Sequence, residues 1–177
     1  VIDAGFNNIF LFQLMLLPGS ELATKKSRNT FEMTTRFRVL PRCYGSYPLL
    51  GKTVLAAEIE EICVATNTLS YEDYLDCRYL HLIVTLFYND GIFGNLLKLV
   101  RGMGLSPWRW IEILMSTETG PKLGNLFRAF TESTKTELWS SREELRDFVY
   151  SENTVERYID GEIGNNLLFV HKVQAIL

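Results

Sequence analysis

The feature that most constrains the fold is an apolar run from Ile9 to Leu17, which is interrupted only by Gln13 and ends at Pro18 and Gly19. The run lacks the alternation of apolar and polar residues that a strand with one solvent-facing side would show. We therefore expect a strand that is covered on both faces, as in parallel sheets flanked by helices. In such folds ligands bind at the carboxyl ends of strands, so the Pro-Gly turn lies where a ligand is expected.

Length and composition are those of an ordinary globular chain. The 177 residues are 47% hydrophobic and 22% charged, which argues against disorder. The net charge of -3 gives no general attraction for nucleic acid, so no nucleic-acid partner is expected. The longest apolar runs fall short of the roughly 20 residues that a membrane helix needs, so no membrane span is expected.

The cysteines and the first residues bear on location and completeness. Cys43, Cys63 and Cys77 have no short repeated spacing, which favours reduced thiols in a cytoplasmic protein over disulfides or a zinc site. The chain begins at Val1 without an initiator methionine and soon enters the apolar run. We therefore expect it to be a piece of a longer protein.

A second strand is predicted from Thr34 to Leu40, where polar and apolar residues alternate. The alternation places Phe37 and Val39 on one face and Arg36 and Arg38 on the other. A proline that follows directly is expected to end the strand.

A third strand is predicted from Ile59 to Thr66, because apolar residues there alternate with glutamates. The alanines and glutamates between Val54 and Ala65 leave a helix as the alternative. Residues 1–66 are therefore predicted to form an α/β region.

Residues 67–177 are predicted to be a helical domain. Ser70 and Ser141 each precede an acid by three residues, which is a capping box. Ser106 and Pro107 open another helix with a cap and a first-turn proline. The predicted helices are Ser70 to Tyr88, Phe93 to Met103, Ser106 to Met115, Pro121 to Phe130, Ser141 to Val149, Val155 to Asp160 and Asn165 to Leu177.

Arg36, Arg38 and Arg42 are candidates for a substrate or anion site, because guanidinium groups bind phosphate and carboxylate through two hydrogen bonds. The alternative is a surface on which these arginines pair with the chain's own acids. The acids that could do so are Glu58, Glu60 and Glu61. Without a histidine at ligand spacing, these acids are not predicted to bind a metal.

The segment Phe12-Gln-Leu-Met-Leu-Leu-Pro-Gly-Ser-Glu21 resembles the late barrel strand of radical S-adenosylmethionine enzymes, where an apolar strand runs into a Pro-Gly turn. Residues 35–45 and 57–74 are similar to the region after the barrel in cobalamin-binding members of that family. The resemblance covers nearly the whole chain, but only the carboxyl-terminal part of such proteins.

The resemblance implies the terminal strands of a partial TIM-type barrel in residues 1–66, followed by a helical domain in residues 67–177. It implies that the intact protein uses S-adenosylmethionine, a [4Fe-4S] cluster and, in some members, cobalamin to act on a small-molecule substrate. The family's Cys-x-x-x-Cys-x-x-Cys loop and an Asp-x-His-x-x-Gly cobalamin motif are absent from the sequence. The upstream part of the same protein is therefore the expected partner that holds the cluster. Leu17, Pro18 and Gly19 match the turn near the nucleoside, and no catalytic residue carries over.

A non-catalytic helical interaction module is the competing hypothesis. In it, the apolar run pairs with the edge of a partner chain. A three-cysteine loop upstream in the same reading frame favours the enzyme over the module.

Overall fold

The structure, a computed structural model, describes residues 1–177. Its fold class is mixed α/β, and the prediction of that broad class is confirmed. Its contacts form two compact units. The first unit comprises residues 1–12, 75–132 and 168–177, and the second comprises residues 13–74 and 133–167. The units thus interleave along the chain. The division into a barrel end in residues 1–66 and a helical domain in residues 67–177 stays a prediction.

The secondary structure consists of eight α-helices, one short 3-10 helix and one two-stranded sheet. The strands are β1 Thr34–Leu49 and β2 Lys52–Ala65. The helices are α1 Lys25–Thr30, α2 Tyr71–Phe87, α3 Gly94–Gly102, α4 Pro107–Ser116, α5 Pro121–Thr136, α6 Arg142–Val149, α7 Thr154–Ile159 and α8 Leu167–Ile176. The 3-10 helix is Asn89–Gly91. None of the helices combines the length and the apolar character needed to span a lipid bilayer.

The predicted helix starts are confirmed by their caps. The Ser70 hydroxyl accepts a hydrogen bond from the Asp73 backbone N–H at 3.1 Å, while the Asp73 carboxylate accepts from the Ser70 N–H at 2.8 Å. The hydroxyls of Ser106 and Ser141 accept in the same way from residues in the first turns of α4 and α6. These side chains satisfy backbone donors that the helix itself leaves without acceptors.

The two strands form an antiparallel hairpin in which Arg38 lies opposite Glu60 and Val39 lies opposite Ile59. β1 does not end at Pro41 as predicted. The register shifts between Val39 and Tyr44, and this irregularity carries the chain past the proline before pairing resumes.

One face of the hairpin builds the core of the second unit. Val39 packs there with Leu145 and Val149 of α6, and Phe37 is half-buried against the same cluster. Arg38 points to the opposite face, as the predicted alternation requires. The helix α6 therefore covers the apolar side of the sheet.

The Ile9 to Leu17 run is extended but does not form a regular strand. Only Met15 makes a bridge, which is antiparallel to Ile62 of β2, through the hydrogen bonds Leu16 N–H to Glu61 C=O and Cys63 N–H to Leu14 C=O. The predicted burial on both faces is not observed in this chain, because Phe12 is 90% exposed.

Candidate functional site

The Leu17 turn, residues 17–20, has the geometry that its sequence predicts. The Ser20 N–H donates to the Leu17 carbonyl at 3.0 Å, and Gly19 has a φ of 84°. A positive φ at the third residue of a turn, directly after a proline at the second, is the signature of a type II turn and favours glycine.

The Leu17 turn offers backbone rather than reactive side chains. Leu17 and Pro18 are exposed, and a Cβ added at Gly19 would meet no atom within 4 Å. A flat ligand could therefore approach the backbone at Gly19 closely. The turn can position a ligand, but its leucine, proline and glycine supply no acid, base or nucleophile.

The arginines of the predicted anion site differ in their surroundings. Arg36 donates from Nη1 to the Thr35 carbonyl at 2.9 Å, and Arg42 lies in the register shift of β1 with a φ of 67°. Arg38 is engaged by two carboxylates of the chain itself. Anion binding by these arginines stays a prediction. For Arg38, the structure shows the alternative that the sequence also allows, which is pairing with acids of the chain itself.

Arg38 lies at the centre of a buried ion cluster. Its Nε donates to Glu60 Oε1 at 2.6 Å, and its Nη1 donates to Glu137 Oε1 at 2.8 Å. The side chains of Arg38, Glu60 and Glu137 are only 13%, 6% and 17% exposed. Burial by itself would lower the pKa of Arg38, but the charges of Glu137 and Glu60 outweigh it and raise that pKa.

A small cleft of about 220 Å³ opens beside this cluster in the second unit. We call it the Arg38 cleft. Its lining combines charged and polar residues with aromatic and aliphatic ones. The lining residues that matter for its chemistry are Arg38, Glu137, Trp139, Phe148, Tyr158 and Asn165.

Glu137 is a charged residue of this cleft that the sequence did not single out. It follows α5 and approaches Arg38 across 99 positions of sequence. The segment is held there because Phe37 and Trp139 exchange both backbone hydrogen bonds, at 2.9 and 2.7 Å. Trp139 thereby pairs with the outer edge of β1. No local pattern marks Glu137, since its role depends on this long-range pairing.

The cysteines and histidines form no metal centre. No group of three or more His, Cys, Asp or Glu side chains is placed to hold a metal ion. Cys63 is buried, which raises the pKa of its thiol, whereas Cys43 and Cys77 are exposed. His81 is buried in α2, and this burial together with the charge of Arg78 lowers the pKa of its imidazole to about 4.

The two features with possible ligand chemistry are thus the open backbone of the Leu17 turn and the charged, aromatic Arg38 cleft. The first matches a position that the sequence predicted, and the second emerges from the fold. Comparison of the chain with protein-family models and with curated proteins gives no match.

Proposed function

We propose that this chain is part of a radical S-adenosylmethionine enzyme of the cobalamin-binding type. In this proposal, Leu17, Pro18 and Gly19 contribute one wall of the adenosyl pocket, and the helices contribute a domain that covers the substrate. The chemistry implied by the resemblance is reductive cleavage of S-adenosylmethionine, followed by reaction with a small-molecule substrate.

The observation that most supports the proposal is the geometry of the Leu17 turn. Its positive φ at Gly19 and the open space above the glycine are what close backbone contact with a nucleoside requires. The turn also ends an extended apolar run, which matches the strand-then-turn order of the resemblance.

Exposed apolar side chains before the turn support a covering partner. Phe10, Phe12 and Leu17 are 66%, 90% and 59% exposed, although they belong to the most apolar run in the sequence. Several large exposed apolar side chains within one short run usually mark a surface that something else covers. Under the proposal, the upstream part of the same protein supplies neighbouring barrel strands that cover this run.

The [4Fe-4S] cluster of such an enzyme does not fit the thiols of this chain. Iron-sulfur clusters need thiolates that converge on one point. Cys63 is buried and its thiol donates to the Ala65 carbonyl at 3.3 Å, Cys43 and Cys77 are exposed, and no group of three such side chains is placed to hold a metal ion. The ligands of the cluster, and those of any cobalamin, are therefore assigned to the upstream part of the protein.

The test uses the protein encoded by the whole reading frame, purified without oxygen. Gly19→Val should weaken S-adenosylmethionine binding in calorimetric titration at least about tenfold, while melting falls by only a few degrees. Gly104→Val is the matched control, because Gly104 also has a positive φ and open space but lies outside the turn. A reading frame without a three-cysteine loop, or unchanged affinity in Gly19→Val, would overturn the proposal.

A second candidate function, a non-catalytic interaction module, is favoured by the free edge at Met15. Leu14 and Leu16 use their backbone groups toward β2, whereas the N–H and C=O of Met15 make no hydrogen bond in the chain. An extended partner segment could pair there. Met15→Pro removes the backbone N–H donor at this position. This candidate would be supported if the variant loses a partner complex in light scattering and the whole protein does not bind S-adenosylmethionine.

A further inference from the structure

We propose that the Arg38 cleft binds a small alkylammonium group, with Glu137 as its anionic partner. The cleft shares no residue with the Leu17 turn. A test of this proposal therefore does not depend on whether the enzyme function proposed above is correct.

The first argument is the charge balance of the cluster at the cleft. One guanidinium, that of Arg38, faces the two carboxylates of Glu60 and Glu137, so the cluster has a formal charge of one negative unit. The Oε2 atom of Glu60 is buried and has no hydrogen-bond partner. Uncompensated negative charge in a poorly solvated place is costly, and a second cation nearby would offset that cost.

The second argument is the supply of free acceptors on the cleft wall. Glu137 uses Oε1 for Arg38, while its Oε2 accepts no hydrogen bond from the chain. Asn165 donates from Nδ2 to the Gly161 carbonyl at 2.7 Å, which leaves its Oδ1 as an acceptor. An ammonium group has N–H donors for both oxygens, whereas an anion would meet a carboxylate.

The third argument is the size and lining of the cleft. Its volume of about 220 Å³ is below the roughly 300 to 1,000 Å³ of sites for drug-sized ligands, so it fits a small group. Trp139 and Phe148 stack with ring centroids 5.1 Å apart, and Tyr158 lines the same space. Aromatic rings attract cations and also pack against an alkyl chain. Together these features select a small organic ammonium over a metal ion or a free anion.

The direct test is a titration of the 177-residue chain with n-butylammonium chloride at constant ionic strength, followed by the NMR signals of the Trp139 indole and the Asn165 amide. We expect saturable shifts of both signals. 1-Butanol has the same alkyl chain without the charge, and tetramethylammonium has the charge without N–H donors. Both should bind at least about tenfold more weakly. No saturable shift with n-butylammonium would overturn the proposal.

Substitutions then assign the partner. Glu137→Gln should weaken n-butylammonium binding at least about tenfold, because it removes the charge-assisted acceptor. The fold should survive, since Arg38 keeps Glu60 as a balanced partner. Glu144→Gln, at an exposed position in α6, is the matched control and should leave the affinity unchanged. Equal affinity of Glu137→Gln and the wild type would refute the assignment.

Asn165→Asp gives a second readout outside the buried cluster, because Asn165 is exposed; the substitution gives up the hydrogen bond to the Gly161 carbonyl but adds a carboxylate. An added carboxylate at that position should strengthen n-butylammonium binding severalfold, and weaker binding would count against the site. N-acetyl-lysine methylamide identifies the source of the group. Binding at least as tight as that of n-butylammonium indicates a lysine side chain, and weaker but saturable binding indicates a free amine; either result supports the ammonium site.

Discussion

Arg28 of α1 and Glu61 of β2 form a two-point ion pair. Nη1 and Nη2 of Arg28 lie 2.5 and 2.8 Å from Oε1 and Oε2 of Glu61. The hydrogen bond from Arg28 is the main reason that the pKa of Glu61 lies below its usual value, with burial acting in the opposite direction. This pair fixes the short helix after the Leu17 turn to the sheet.

Glu61→Gln is therefore expected to lower the free energy of unfolding by about 1 kcal/mol near neutral pH, since the pair is partly exposed. A carboxylate with a lowered pKa stabilises the fold above its unfolded pKa, and this contribution is lost as the pH falls through the folded pKa. The difference between wild type and variant should shrink below about pH 4. Urea unfolding at several pH values measures it, and Glu58→Gln, exposed on the same strand, should show no effect. A difference that does not change with pH would contradict the assignment.

Arg38 and Arg36 should respond very differently to the same substitution. Arg38→Met leaves Glu60 and Glu137 buried without their cation, so we expect a loss of about 3 to 5 kcal/mol in the free energy of unfolding. Arg36→Met removes a hydrogen bond from that side chain to the neighbouring Thr35 carbonyl and should cost less than about 1 kcal/mol. Denaturant unfolding of both variants checks this, and equal losses would contradict the central role of Arg38.

Local signals in the sequence were sufficient for most of the secondary structure. The caps at Ser70, Ser106 and Ser141 mark the starts of α2, α4 and α6, because a cap depends only on residues within one turn. The turn at Gly19 was also predictable, since its conformation follows from a proline and a glycine. Alternation likewise placed Phe37 on the core face of β1.

Features that depend on distant residues could not be predicted. The pattern of the apolar run to Leu17 predicts a buried strand. Burial, however, requires neighbouring strands, and in this chain only Met15 of the run bridges to β2. For Arg38 the sequence offers the nearby acids Glu58, Glu60 and Glu61 as partners. Glu60 was among them, but Glu137 lies 99 positions away and is brought in by the pairing of Trp139 with β1. Composition and spacing carry no information about such a contact.

His81 should make the first unit sensitive to mild acid. Its pKa is lowered to about 4 by burial and by the charge of Arg78, so the folded state holds the imidazole neutral. The unfolded state binds a proton near pH 6.5, so stability is complete above that pH and falls as the pH drops toward about 4. The loss should amount to about 3 kcal/mol below pH 4, since a tenfold change in proton affinity is worth about 1.4 kcal/mol, and His81→Gln should remove it. NMR titration of the imidazole gives the pKa directly, and a value near 6.5 would contradict the prediction.

Substituting Gly164 or Gly19 by alanine separates two contributions to the loss of stability, the steric clash of the new Cβ and the strain of a positive φ. Both have a positive φ, 72° and 84°, so alanine at either position should cost about 1 kcal/mol from the backbone alone. At Gly164 the new Cβ would also clash with Cδ1 of the buried Tyr158 ring, whereas at Gly19 it would meet nothing within 4 Å. Tyr158 packs in the core with Val39 and cannot move without disturbing it. Gly164→Ala should therefore destabilise the chain by about 1 to 3 kcal/mol more than Gly19→Ala. Denaturant unfolding of the two variants measures this difference. Equal stabilities would contradict the prediction, because they would show that the Tyr158 ring moves aside without a cost in stability.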